Sequence, residues 1–295
     1  MRNRNAVVLA SIALVAPGWC AAQDPPADPE PAFTSVPELL SGFNLLYETK
    51  FSEARTTFEG WEAQHQDEPF GEVAVAASYL FEEFYRQNVL TSDFFLNEKR
   101  FLHGIEGKPD ADRMNNFRGA LARTRELARE RLKKKPKDPE ALFGLTLAAG
   151  MESDSLAILE KKQLEALKRM KEANEYAKEL LAQRPNTADA YVALGIANYI
   201  IGSLNPGVRF ALWFGGIHGD KKLGMEQVGK ATENGRYLRP FAKIMLALAA
   251  RREKQNALAQ RLLRELSEEF PENALFAAEY AKAMGRPIPA TISAP

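Results

Sequence analysis

The chain has 295 residues, enough for one elongated domain or two small ones. Its 39 basic and 39 acidic side chains cancel, so there is no global pull toward nucleic acid or an acidic lipid surface, and the apolar share of 45% is ordinary for a soluble protein. Cys20 is the sole cysteine, which excludes a disulfide within the chain.

Arg2 and Arg4 give the chain a basic start, and the apolar stretch over residues 6–16 is too short to span a bilayer comfortably. With small residues at Ala21 and Ala22, residues 1–22 read as an export signal cleaved after Ala22; an uncleaved anchor is the alternative. A lipid-anchored bacterial protein would resemble Leu-Ala-Gly-Cys here, whereas Pro17, Gly18 and Trp19 precede Cys20, so lipidation is not expected. Cleavage leaves a mature, periplasmic chain without a thiol, and so without cysteine catalysis. Residues 23–35 are dominated by proline and acidic side chains and read as an extended, disordered linker.

From residue 36 onward the apolar residues repeat, and the spacing is plainest in residues 240–273. Counting Pro240 as position 1 puts Leu246 and Ala247 at 7 and 8, Ala259 at 20, Leu263 at 24, Leu266 at 27 and Pro271 at 32. Small residues at 8 and 20 allow two antiparallel helices to approach closely, large ones at 24 and 27 fill the seam to the next unit, and the proline stops the second helix. Residues 36–69 fit a first unit, with Gly42 and Ala54 as the small residues, Phe58 and Trp61 as the large ones, and a turn near Thr49. A second unit has its first helix over residues 71–88 and its second over 112–135, with an insertion of about 36 residues. A third begins at Pro139 and is about 15 residues too long; residues 154–168 contain no helix breaker and predict a second helix extended backward by about four turns. The fourth has Tyr191, Leu194 and Gly195 in its first helix, turns at Gly202 and again at Gly219-Asp220, and holds about 17 inserted residues between them. Residues 274–284 predict a capping helix stopped by Gly285, and residues 286–295 a disordered tail.

This spacing resembles the tetratricopeptide repeat (TPR), a helix-turn-helix unit of 34 residues. The resemblance covers about residues 36–285. It implies an all-α fold, a right-handed superhelix of antiparallel helix pairs with insertions between helix A and helix B of the middle repeats. The stretch WFGGIHGDKKLG followed by RYLRPFAKIMLALAA is similar to exported bacterial TPR proteins of unassigned biochemistry. Such a fold implies a non-catalytic scaffold that binds a partner protein or peptide in the cell envelope. A looser similarity, to periplasmic helper proteins of organic-acid transporters, implies instead a small apolar ligand held in a helical bundle.

Three consecutive units carry their extra length at one structural place, the turn between their helices, and insertions on one edge of a solenoid often mark a binding face. The alternative is that the insertions pack on one another. Two aromatic clusters lie at this edge. Tyr79, Phe84, Phe94 and Phe95 belong to the first insertion and its approach; Phe210, Trp213 and Phe214 belong to the third. They read either as core, as an apolar pocket, or, in VRFALWF, as a membrane-touching wedge.

Nothing else in the chain predicts chemistry. Residues 215–224, GGIHGDKKLG, lack the Gly-Lys-Ser/Thr ending and the preceding strand of a phosphate loop. His65, His103 and His218 have no metal-ligand spacing, so no metal or cofactor is expected. Glu82-Glu83, Glu152 with Asp154, and Glu268-Glu269 read as solvated helix faces rather than acid–base pairs. Lys133, Lys134, Lys135 and Lys137 complement a helix C-terminus, and no nucleic-acid partner is expected.

Overall fold

A computed structural model describes residues 36–214 and 216–287, all of which fall within one compact unit, Pro31–Pro295. The expected signal (1–22), linker (23–35), Cys20 and the end of the tail lie outside the described residues.

The described residues are helical, with no strand among them. Helices α1 (Pro37–Tyr47) and α2 (Phe51–Glu62) form the first pair. Helix α3 (Pro69–Arg86) is followed by the short α4 (Ser92–Leu96) and α5 (Glu98–His103) before its partner α6 (Ala111–Lys134). Helix α7 (Pro139–Asp154) runs into a π turn (Ser155–Leu159) and pairs with α8 (Gln163–Gln183). Then come α9 (Ala190–Ser203), the inserted α10 (Pro206–Phe214) and α11 (Lys221–Asn234), then α12 (Arg239–Arg252) with α13 (Asn256–Glu269), and last α14 (Ala274–Ala283). Setting the inserted α4, α5 and α10 aside, each long helix packs on the one before it and the one after it.

The local reasons are repeated along the chain. Proline stands in the first turn of α1, α3, α7 and α12, where its missing N–H costs no helical bond. The turn after α1 and the turn after α12 close in the same way. Thr49 and Lys254 take positive φ (62° and 59°), and the next N–H reaches back to Leu45 and Ala250 respectively. Asn88 (φ 54°) does the same after α3, with Val89 N–H donating to the Phe84 carbonyl, even though an insertion follows.

Close helix approach rests on small residues. A Cβ on Gly42 would run into the Phe58 ring, and one on Gly195 would lie 2.5 Å from Val228 Cγ2 and 2.8 Å from the Gly224 carbonyl oxygen. The stretch Pro139–Leu159 is long and apolar enough to cross a bilayer, but 67% of its most apolar window is buried among neighbouring helices, as suits a core helix.

The third pair corrects an expectation. Its second helix extends backward only to Gln163, not to residue 154. Instead α7 with its π turn and α8 each reach 21 residues, and the chain reverses at Lys161, with φ 58°. The reason is geometric. Lengthening one arm of an antiparallel hairpin by four turns would strand the chain about 20 Å from its partner's end, so the added residues must be shared between both arms.

Helix α1 and the turn after it meet residues from late in the chain. Tyr47 Oη donates to the Tyr237 carbonyl (2.9 Å), Asn273 Nδ2 donates to the Tyr47 carbonyl (2.7 Å), and Lys50 pairs with Glu272 (2.6 Å). Phe43, Phe70, Phe143 and the fully buried Tyr237 fill the space between α1, α3, α7 and the α11–α12 connection, with ring centroids 4.8–6.0 Å apart. Asp189 holds that connection in place. Its carboxylate accepts the N–H groups of Arg236, Tyr237 and Leu238, and burial pushes its carboxyl above the usual range despite these donors.

Candidate binding surfaces

The first insertion turns inward. Glu83, wholly buried, gathers both its ends: the carboxylate accepts from Arg86 (2.6 Å) and Gln87 (2.9 Å) on one side and from Arg113 (2.8 Å) and the Asp110 N–H (3.2 Å) on the other. Burial alone would raise this carboxyl; the hydrogen bonds outweigh it and hold it below its ordinary value. Phe94 is buried with its edge on Phe95 (5.3 Å), and the Phe95 carbonyl accepts from Arg252 of α12. Lys282 of α14 pairs with Asp93 (2.8 Å). Phe84 is buried, and half-buried Tyr79 carries the Arg55 guanidinium 3.8 Å from its ring centre. These four aromatics therefore lie in or against the packed body.

The far end of the same insertion docks on the second. Gly104 adopts φ 68°, and a Cβ there would run into the Ile158 carbonyl oxygen; the following Ile105 N–H donates to that oxygen at 3.0 Å. The π turn ends at Leu159, so the Ile158 carbonyl has no helical partner and is free to accept.

The third insertion does the opposite. Gly202 and Gly219 touch where it leaves and returns: a Cβ on Gly219 would lie 2.5 Å from the Gly202 nitrogen. Between them α10 has no buried residue. Phe210, Trp213 and Phe214 are 65%, 57% and 71% exposed. Asp220 ends the excursion as the N-cap of α11, accepting the Leu223 N–H at 2.8 Å, and Lys221 pairs with Glu253 (2.8 Å), so residues 216–224 form a turn that leads into a capped helix start.

A cleft of about 530 Å³ opens where α1, α2, α3 and α7 converge, below the Tyr237 plug. Trp61 and His65 stack at 4.1 Å on one wall, and the His65 Nδ1–H donates to the Trp61 carbonyl (2.8 Å). The other wall is acidic. Arg131 lies 3.2 Å from Glu68, 2.5 Å from Glu140 and 3.4 Å from Asp138, Lys135 also pairs with Asp138 (3.4 Å), and Glu38 adds a further carboxylate at the rim. Burial, then the nearby Glu68 carboxylate, push the Glu140 carboxyl upward against the pull of Arg131. Trp61 entered the sequence reading only as a seam residue, and no sequence signal brought residues 38, 65, 68 and 140 together.

The carboxylate pairs along the chain are mostly ion-paired. Glu82 binds Arg55 and Arg113, Glu152 binds Arg125 and Arg169, and Glu269 binds Arg239 and Lys243. Asp154 differs: burial pushes its carboxyl up to about 7, although the residue keeps some exposure. Among the described residues no three His, Cys, Asp or Glu side chains group as metal ligands. No family model and no curated protein matches the chain.

Proposed function

We propose that the protein is a non-catalytic, exported TPR-type adaptor of the bacterial cell envelope, a right-handed superhelix of antiparallel pairs that holds a segment of a partner protein. Three things support the repeat reading: the 34-residue spacing, the shared turn at Thr49 and Lys254, and the glycine-mediated crossings at Gly42 and Gly195. The observation that carries the binding reading is the cleft, walled by Trp61 and Phe70 and rimmed by Glu38, Glu68 and Glu140. Three carboxylates, Glu38, Glu68 and Glu140, line it with no lysine or arginine among the lining residues, which suits a basic partner segment. The same volume favours a second reading, a helper protein that holds a small ligand.

A photo-crosslinker at exposed Gln64, on the cleft wall, tests both in the native envelope, with exposed Gln183 on α8 as the control position. One dominant polypeptide adduct at 64, lost in Glu140→Lys, is the expected result. A small molecule retained in native mass spectrometry and lost in the same variant would favour the helper reading. Equal labelling at both positions would overturn both.

A further inference from the structure

Independently of the cleft, we infer that α10 is a lipid-contact element that lies in the surface of an anionic bilayer. Five of the six exposed large apolar side chains of the described residues, Val208, Phe210, Trp213, Phe214 and Leu223 with only Leu164 elsewhere, fall within this excursion and the first turn of α11. Isolated exposed apolar residues are common on soluble proteins; this concentration on one projecting arm is not.

The arm is built to be helical without support from the body. Asn205 caps its start, its side chain accepting the Val208 N–H at 3.0 Å. At its end Gly216 takes φ 72°, its N–H donates to Trp213 and the Ile217 N–H donates to Leu212, both at 3.0 Å. A helix of nine residues in which Leu212 alone is partly covered is marginal in water, so capping at both ends marks it as preorganised for a surface it meets elsewhere.

Charge selects the surface. From Ser203 to Gly224 the basic side chains are Arg209, Lys221 and Lys222, and the one acid, Asp220, is engaged in capping α11. Arg209 and Lys222 are exposed and pair with no carboxylate among the described residues. The arm is thus locally basic on a chain whose total charge is zero. Aromatic and basic residues on one exposed helix fit the boundary between headgroups and acyl chains of an acidic lipid layer. A second copy of the same arm fits poorly, since pairing would bring these cations together.

The test is flotation of the full protein with vesicles of phosphatidylglycerol and, separately, of phosphatidylcholine, while following tryptophan emission. Binding to the first with a blue shift, and little binding to the second, is expected. Phe210→Ser with Trp213→Ser should abolish it while leaving the melting temperature unchanged. Arg209→Gln with Lys222→Gln should weaken it about thirty-fold, at roughly 1 kcal/mol for each basic residue near the surface. Absence of binding to phosphatidylglycerol, equal binding by the variants, or a stable dimer broken by the Ser variants would each overturn the inference, the last in favour of self-association.

Discussion

The first and third insertions enter the chain at the same point of their units, between the two helices, yet one is part of the body and the other stands clear of it. The first is held at its base by Glu83, along its length by Phe94 and the Arg252 bond to the Phe95 carbonyl, and at its far end by Gly104 against Ile158. The third is pinched at its base, where Gly202 meets Gly219, and no residue of its helix is fully buried. Position between paired helices therefore does not decide what an insertion does. The first faces a neighbouring hairpin, lengthened by two turns in each arm, whose π turn offers an unpaired carbonyl. The third has aromatic residues of the same kind, but none of its helix is buried.

The contrast can be broken at several points. Phe94→Ala carries the largest expected effect, a loss of about 3–5 kcal/mol of unfolding free energy, because it empties a fully packed site. Chemical denaturation would measure it, and a loss below about 1 kcal/mol would mean that the first insertion is as loosely held as the third. Gly104→Ala comes next. Its φ of 68° with ψ of −161° is a region that side chains avoid, and the added methyl meets the Ile158 oxygen, so a loss of about 3 kcal/mol is expected, with faster amide exchange at Ile105.

Glu83→Gln should cost about 2 kcal/mol near neutral pH by weakening charge-assisted hydrogen bonds. The sign with pH follows from the depressed carboxyl. Its contribution is present above the unfolded value of about 4.3 and is lost as pH falls through the lower folded value. Melting temperature against pH should show the wild-type advantage over Glu83→Gln shrinking below about pH 4; a constant gap would place the effect elsewhere. Trp213→Ala should be the smallest, within about 0.5 kcal/mol of wild type, since its side chain is more than half exposed. A large loss there would join the third insertion to the body and remove the contrast.

Much of the local structure was legible. Helix boundaries near Asp220 and Gly285, and the first-turn prolines, follow from what those residues do to a backbone: proline lacks an N–H, glycine accepts positive φ, and an aspartate side chain caps. The candidate surfaces were legible in part. Phe210, Trp213 and Phe214 are exposed, whereas Phe84 and Phe94, which look the same in the sequence, are buried. The cleft was not legible at all, because its walls come from four helices spread over a hundred residues, and Glu140 meets Glu68 only through the packing of α7 on α3.

The amino-acid sequence by itself determined an all-α chain of repeated helix pairs, the places where extra residues enter, and which turns could close. Those are local properties, set by apolar period, by glycine and by proline over a few residues. Tertiary structure alone decided that the third hairpin lengthens in both arms, that the first two insertions lock together while α10 is left exposed, and that Tyr237 from late in the chain seals against α1. These depend on which surfaces come within van der Waals and hydrogen-bonding reach, and that is settled by the stacking of whole units rather than by any one of them.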